Sequence, residues 1–262
     1  MRKYLTIYRS FFKFSFMNFT TFRAYAVNSI MATVGWGAFQ FIWIQLLTVR
    51  TKSAFGWSRD ELVILAILYI IVIGIFHFLF TRNFDRFTTI IDRGELDFLL
   101  LKPVDSQFIA TCFWINYSNL IRTFLGIVLL ITYLHIRQIT LPLMGIAGFL
   151  VFIVFGIMLL YSLWLFYCTL LIWFPRLTNV IDFLYTINGM ARYPTEMIEG
   201  IRNFIVLFLL PFSISISTPV KVLVRGTLQG EVAGLIVLSI GMFVFTRFFW
   251  KFALRHYTSA SS

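Results

Sequence analysis

Several uncharged stretches are long enough to cross a lipid bilayer, and they constrain this chain more than any other feature. A helix needs about 20 residues to cross the ~30 Å hydrocarbon core. No charged residue lies within 24–49, 62–81 or 138–175. Charged residues make up only 13% of the chain, against roughly a quarter of a typical soluble domain. The sequence therefore excludes a soluble domain and predicts an all-α integral membrane protein with one domain, 1–262.

We predict six membrane spans from these stretches and from weaker apolar segments. They are placed at 24–49, 62–81, 106–136, 147–173, 203–220 and 232–250. Six spans put both termini on the same side, and fifteen of the 22 Lys and Arg residues fall in the termini and loops of that side. Because Lys and Arg concentrate in cytoplasmic loops, we expect a multi-pass protein of the cytoplasmic (inner) membrane with cytoplasmic N- and C-termini.

The N-terminal segment, 1–23, has the pattern of an interfacial amphipathic helix. Basic residues recur at helical spacing, and Leu, Tyr and Phe side chains occupy the other faces. Two interpretations stay open: a simple anchor in the headgroup layer, or a lever packed beside a moving partner. The formal net charge of +11 indicates orientation and anionic lipid in such a protein, and we expect no nucleic-acid partner.

The cytoplasmic loop at 82–107 is the one charge-dense stretch. It holds five of the eleven carboxylates, but no metal-binding His pair and no nucleophile with its base accompany them elsewhere. We therefore predict no catalytic residue and no metal site. A solvated loop is the simplest interpretation, but the apolar run at 96–101 between Gly94 and Pro103 favours a short helix that offers an apolar plug to a cytoplasmic partner.

The string Arg93-Gly-Glu-Leu-Asp-Phe-Leu-Leu-Leu-Lys-Pro-Val-Asp105 resembles a segment of the membrane subunits of type-2 ABC exporters. It is similar to the Gly-x-Leu-Asp and Lys-Pro-Val-Asp elements that follow the second span in one group of such permeases, which are of about this length. Ala191-Arg-Tyr-Pro194 resembles a second shared feature of that group.

The resemblance implies a permease that forms half of a dimeric pore, with an identical or paralogous second permease, and that receives force from cytoplasmic ATPase subunits. The chain has no Gly-x-x-x-x-Gly-Lys-[Ser/Thr] motif. ATP and Mg²⁺ are therefore expected in the partner ATPase, with no cofactor and no enzymatic activity in this chain. The implied coupling residues are Arg93, Gly94, Glu95, Leu96, Asp97, Lys102, Pro103, Val104 and Asp105.

Arg122 is the one cation inside the third apolar zone, where an unpaired charge is costly. Asn116 and Asn119 are close by in sequence. In one interpretation these three residues line the transport path and attract an anionic headgroup. In the other, which we favour slightly, Arg122 snorkels to the interface.

A second region of interest is 213–231, on the external side. We expect Pro211 and Pro219 to break the fifth helix and form a re-entrant hairpin with Lys221 and Arg225; an ordinary turn is the alternative. In the resembling family this region is the external gate. Glycines at 226, 230 and 234 have a spacing that allows close helix approach.

The segment 174–202 is predicted as a second cytoplasmic stretch, amphipathic rather than spanning, that either docks the ATPase or lies on lipid. The predicted function is ATP-driven export of an unidentified substrate by alternating access. The 32 Phe residues suit an amphiphilic substrate, but lipid-facing helices also use Phe. The alternative is a non-transporting membrane scaffold that docks a cytoplasmic partner. An ion-coupled carrier is disfavoured, since the chain has neither paired ionisable residues in its spans nor an internal repeat.

Overall fold

The computed structural model describes residues 2–49, 53–175, 177, 179–199, 206–226 and 230–257, and these are almost entirely helical. The helices are α1 (Arg2–Thr21), α2 (Arg23–Thr48), α3 (Arg59–Phe76), α4 (Arg82–Asp92), α5 (Leu96–Leu100), α6 (Ser106–Cys112), α7 (Ser118–Arg137), α8 (Leu143–Leu170), α9 (Val180–Asn188), α10 (Thr195–Glu199), α11 (Val206–Arg225) and α12 (Gly230–Arg255). A π-helical turn (His77–Thr81) joins α3 to α4, and a 3₁₀ turn (Gly189–Arg192) follows α9. Two short strands, β1 (Ser53–Ala54) and β2 (Trp57–Ser58), form an antiparallel hairpin.

Five of the described helical segments are long and apolar enough to cross a membrane. They are Arg23–Leu46, Arg59–Asp92, Ser118–Arg137, Leu143–Leu170 and Gly230–Arg255. This confirms the predicted all-α integral membrane class. The predicted fifth span, 203–220, begins outside the described residues, and α11 covers the rest of it. The number six therefore stays a prediction.

The β-hairpin and a capping box start α3. Phe55 and Gly56 have φ of 55° and 77°, the left-handed pair that a tight hairpin turn requires. The Ser58 N–H donates to Glu61 Oε2 at 2.7 Å, and the Glu61 N–H donates to Ser58 Oγ at 3.3 Å. This exchange satisfies two backbone donors at the helix start. We call this end of the bundle the hairpin end and the opposite end, around α4–α6, the α5 end.

Helix α3 is the centre of the bundle. Every residue from Leu62 to Gly74 is buried, as expected for a helix that is apolar on all sides, and α2, α7, α8 and α11 all pack against it. Glycines allow α3 to lie close to α7. If Gly74 carried a Cβ, that atom would lie only 2.3 Å from Thr123 Oγ1. A Cβ on Gly126 would lie 2.7 Å from Ile71 Cγ1.

Helix α11 runs antiparallel to α8 and continues through Pro211 and Pro219, so the expected break at these prolines is wrong. Pro219 has no N–H for the Ser215 carbonyl, and its ring pushes that carbonyl outward. The carbonyl oxygen lies against Gly156, where a Cβ would come within 2.0 Å of it. The glycine on α8 thus makes room for the displaced carbonyl, and the helix stays continuous.

The glycine spacing at 226, 230 and 234 does not produce a close helix approach. A Cβ on Gly230 or Gly234 would meet no atom within 4 Å. Gly226 has φ +65° and ends α11 beside Pro142, so its role is a turn. The rest of the predicted hairpin, 227–229, lies outside the described residues.

The described part of 174–202 runs between the two ends of the bundle, which corrects the predicted cytoplasmic surface stretch. Tyr185 donates to Asp85 near the α5 end at 3.2 Å, whereas Glu196 accepts from Trp57 Nε1 at the hairpin end at 3.0 Å. Asp85 is about 40 Å from the start of α3 at 1.5 Å per helical residue. One face of α9 is buried inside the protein, as Leu184 and Ile187 show, whereas Phe183 and Tyr185 on its other face are exposed. Residues 176, 178 and 200–205 lie outside the described part.

Candidate functional site

The predicted coupling segment forms a turn and the short helix α5. Gly94 has φ +66°, which only glycine adopts without strain, and it reverses the chain after α4. Leu96 and Leu99 are buried and anchor α5, whereas Phe98 and Leu101 are 71% and 80% exposed. The segment is therefore a rigid projection with two apolar side chains at its tip.

The nine predicted coupling residues divide between this outer surface and its anchoring. Arg93, Glu95, Lys102 and Pro103 are exposed; Gly94, Asp97, Val104 and Asp105 are partly buried; Leu96 is fully buried. A groove of about 210 Å³ lies beside the segment. It is lined by Asn83, Arg86, Ile90, Glu95, Phe98, Leu99, Lys102, Ile109, Ala110, Phe113 and Trp114. The exposed set thus consists of charges around an apolar centre.

Asp105 fastens the end of this segment to α12. Its carboxylate accepts from the Phe108 N–H at 3.1 Å as the N-cap of α6, and it forms an ion pair with Arg247. Arg247 also donates to Gln107 Oε1 at 2.8 Å. Partial burial opposes ionisation of Asp105, but the hydrogen bonds from Arg247 and Phe108 outweigh it and lower the pKa of this carboxyl.

We expect Asp105→Asn to destabilise the protein at neutral pH by about 1 kcal/mol, a small value because both partners are partly exposed. A carboxyl group whose pKa is lowered by folding stabilises the folded state above its unfolded value of about 3.9, and this contribution is lost as the pH falls through the lowered folded value. Thermal unfolding from about pH 7 to about pH 3 should show the gap between wild type and variant closing below about pH 4. A constant gap would contradict the ion pair, and Asp92→Asn serves as the control.

The N-terminal helix α1 packs along α6 and the segment that follows it. Tyr4 makes an edge contact with Phe108 at 5.3 Å between ring centroids, and Ser15 Oγ accepts from the Ile115 N–H at 3.1 Å. Lys3 Nζ donates to the Pro103 carbonyl at 3.5 Å. Helix α1 is therefore attached to the coupling segment, the arrangement that the lever interpretation requires.

The segment 113–117 is hydrogen-bonded to α4 and to the π-helical turn. Asn83 and Trp114 exchange hydrogen bonds of 2.8 and 2.7 Å, and the Asn116 N–H donates to the Phe78 carbonyl at 2.9 Å. Phe78 lies in the π-helical turn, whose altered pairing leaves carbonyls available to outside donors. The start of α7 is thereby joined to the helix that leads to α5.

A polar cavity of about 430 Å³ lies between α2, α3, α7 and α9. It is lined by Trp36, Gln40, Tyr69, His77, Arg122, Tyr185, Thr186, Asn188, Gly189 and Arg192. Gln40, Arg122 and Asn188 form a buried floor at 6%, 4% and 2% exposure, and Trp36 forms an exposed rim.

The structure places Arg122 in this cavity and away from the surface. Its Nη2 donates to Gln40 Oε1 at 2.8 Å, and its stem lies beside Gly37. Snorkelling, the favoured of the two interpretations, does not describe this buried side chain. Asn119 is buried on the preceding turn of α7 and Asn116 begins the link to the π-helical turn, but neither is among the lining residues.

Charged side chains meet at the hairpin end, around the predicted gate residues. Lys221, whose side chain is 4% exposed, pairs with Glu196 at 2.9 Å and with Glu231 at 2.5 Å. Arg225 pairs with the capping residue Glu61 at 3.2 Å, and its guanidinium lies over the Trp57 ring and donates to the Gly56 carbonyl at 3.0 Å. This hairpin-end cluster joins α3, α10, α11 and α12, whereas Pro211 and Pro219 lie within α11.

The family model of the ABC-2 family transporter protein matches residues 34–261. The chain belongs to the ABC-2 transporter family. The match includes the coupling segment, the cavity and the hairpin-end cluster, and most of the membrane-spanning helices. No curated protein and no solved structure matches the chain.

Family membership identifies the chain as a multi-pass transmembrane permease subunit of an ABC transporter. Such a permease is not itself the ATPase, and the family implies association with an ABC ATPase partner. The predicted resemblance to type-2 ABC permeases is thereby confirmed.

The sequence did not single out Arg247 or Glu61, and it did not link Gln40 or Arg192 to Arg122, since only the tertiary fold brings these residues together. Arg247 carried one available signal, since it is a cation near the end of an apolar span. Glu61 carried another, because the Ser58-x-x-Glu61 pattern is a capping box.

Proposed function

We propose that the permease is the membrane subunit of an ATP-driven exporter of the cytoplasmic membrane, with the α5 end and both termini in the cytoplasm. The observation that carries the proposal is the rigid coupling segment: an exposed apolar pair, Phe98 and Leu101, on a helix anchored by buried Leu96 and Leu99. Such an apolar centre with a charged rim suits a protein partner. ATP and Mg²⁺ would be bound by that partner.

Force applied to α5 would reach the bundle by two described connections. The first is the Asp105–Arg247 pair, which leads to α12. The second consists of the Asn83–Trp114 bonds, which lead to the start of α7 and so towards the cavity. A flexible loop could not transmit displacement in this way, so the anchoring favours a coupling role over simple docking in a scaffold.

Alternating access supplies the mechanism in this proposal. The cavity would form part of the transport path. The hairpin-end cluster would close the external side of that path until ATP-driven movement of α11 and α12 separates its charges. A second permease, identical or paralogous, would complete the path, and lipid would cover the remaining apolar exterior. The function is thus export, with the scaffold role as the alternative.

We expect Lys221→Met to loosen the hairpin end. It leaves two carboxylates without their shared cation, at a cost of about 1 to 3 kcal/mol, below the value for fully buried pairs because both carboxylates are partly exposed. Hydrogen–deuterium exchange should rise in 53–58 and in α10. Arg137→Met removes a more exposed ion pair with Asp60 at the same end and should change hydrogen–deuterium exchange little. Equal exchange in the two variants would contradict a closing role for the cluster.

The proposed function is tested on the complex purified from cells that produce the tagged permease. We expect a nucleotide-hydrolysing subunit at fixed stoichiometry and ATP hydrolysis by the complex. In a screen of lipids, peptides and drugs, one class should show ATP-dependent loss from the cell and ATP-dependent accumulation inside inside-out vesicles. A complex that hydrolyses ATP but transports no lipid, peptide or drug would favour the scaffold role. A purified permease that never carries an ATPase would overturn the coupling assignment.

A further inference from the structure

The polar cavity holds two cations without a counter-charge. Arg122 and Arg192 both line it, and none of its lining residues is Asp or Glu. Within the described part of the chain neither arginine forms an ion pair; Arg122 donates to Gln40 and Arg192 Nε donates to the Gly189 carbonyl at 2.8 Å. Unpaired cations inside a membrane bundle are costly and mark a binding function.

Three buried polar atoms on side chains that line this cavity have no hydrogen-bond partner among the described residues. They are Arg122 Nε, His77 Nε2 and Asn188 Oδ1. An orphaned buried donor or acceptor costs about as much as the bond it lacks, so a ligand that supplies both acceptor oxygens and a hydroxyl donor would satisfy the set. These three atoms, on the π-helical turn, α7 and α9, belong to side chains that line one cavity, and their convergence points to a built site.

We propose that this cavity binds the phosphate group of an anionic, hydroxyl-bearing amphiphile. Arginine forks match phosphate oxygens, and Asn188 Oδ1 would accept from a neighbouring hydroxyl. The cavity suits a headgroup and not a whole lipid, and the exposed Trp36 and Tyr185 at its rim suit the start of an apolar chain. The role of this site in transport rests on the proposed function; binding itself does not.

Binding is measured on the purified permease alone, by thermal unfolding in detergent with increasing phosphatidylglycerol, phosphatidylcholine or inorganic phosphate. Both lipids carry a phosphate, but phosphatidylcholine brings a choline cation beside the two arginines and has no headgroup hydroxyl for Asn188. Wild type should therefore prefer phosphatidylglycerol over phosphatidylcholine by about tenfold or more. Arg122→Gln/Arg192→Gln should abolish this preference. Arg122→Lys/Arg192→Lys should retain part of it, and Arg255→Gln, at an exposed arginine on α12, should retain all of it.

Displacement of phosphatidylglycerol by inorganic phosphate would show that the phosphate group suffices, and failure to displace it would show that the lipid is required; both support the phosphate site. Equal binding of the two lipids by wild type, or an unchanged preference in the folded Gln double variant, would overturn it. If that double variant does not fold, Arg192→Gln alone, on the partly exposed 3₁₀ turn, gives the same comparison. Because no ATPase is present, failure of the export proposal would leave this result intact.

Discussion

Leu101→Asp is expected to uncouple the permease from its ATPase with little effect on its own fold. Leu101 is 80% exposed at the tip of the coupling segment, so the isolated permease should keep its stability within about 0.5 kcal/mol. In the complex the new carboxylate would be buried in an apolar contact, and central apolar contacts of this kind carry most of an interface's energy. Co-purified ATPase, or permease-stimulated ATP hydrolysis, should fall by about tenfold or more.

Leu143→Asp is the matched control, because Leu143 is 82% exposed at the opposite, hairpin end of the bundle. It should leave co-purification and hydrolysis near wild type. Leu96→Ala is the contrasting variant, since Leu96 is fully buried and its truncation should destabilise the protein by about 2 to 5 kcal/mol. If Leu101→Asp and Leu143→Asp behave alike, the coupling segment is not where the ATPase binds.

Gly156→Ala should be among the most destabilising single substitutions in the chain. The new Cβ would lie 2.0 Å from the Ser215 carbonyl oxygen, and a backbone atom cannot move aside as a flexible side chain can. Helix α11 would have to shift, but Lys221 and Arg225 hold it to neighbouring elements. Overpacking of this kind destabilises a protein by about 1 to 3 kcal/mol and occasionally more. Because these ion pairs restrain α11, we expect a loss near the upper end of that range. The unfolding temperature should fall by about 6 to 12 °C.

Gly241→Ala is the control for this substitution, because its Cβ would meet no atom within 4 Å and alanine favours the helix by up to about 1 kcal/mol. It should be neutral or slightly stabilising. Pro219→Ala on the Gly156→Ala background tests the explanation, since a restored N–H would draw the Ser215 carbonyl back into its own helix. Partial recovery is expected; a similar loss for Gly156→Ala and Gly241→Ala would contradict the close contact.

The uncharged stretches were sufficient to predict the membrane class because burial in lipid and burial in protein both exclude charge. They could not separate the two environments, and so α9 looked like a helix on the membrane surface, although its buried face packs against the rest of the protein. The same limit applies to Pro219. Local chemistry predicts a break there, whereas the distant Gly156 provides the space that keeps α11 continuous.

For the candidate sites too, the sequence indicated some residues, whereas others depend on the tertiary fold. The motif at 93–105 drew attention to the segment that we propose as the ATPase contact, but the direction of each side chain depends on the packing of α5, which turns Leu96 inward and Leu101 outward. Arg122 was recognisable because a lone charge in an apolar stretch is unusual. Arg192 appeared only within Ala191-Arg-Tyr-Pro194 and was not linked to Arg122, and neither was Gln40, since only the tertiary fold brings the three residues to one cavity.

The π-helical turn at His77–Thr81 fixes the number of residues that join α3 to α4. In a π-helical turn each N–H pairs with the carbonyl five residues back instead of four, so the turn takes up one extra residue while the helix on both sides keeps its direction. Deleting one residue there would restore regular α-helical pairing, and the Phe78 carbonyl would no longer be free to accept from the Asn116 N–H. An added residue would instead turn α4 by about 100° relative to α3, so Asn83 and Phe84 would point to different neighbours. Related chains that share both the cavity and α5 should therefore tolerate exchanges of residue type in this turn far better than insertions or deletions.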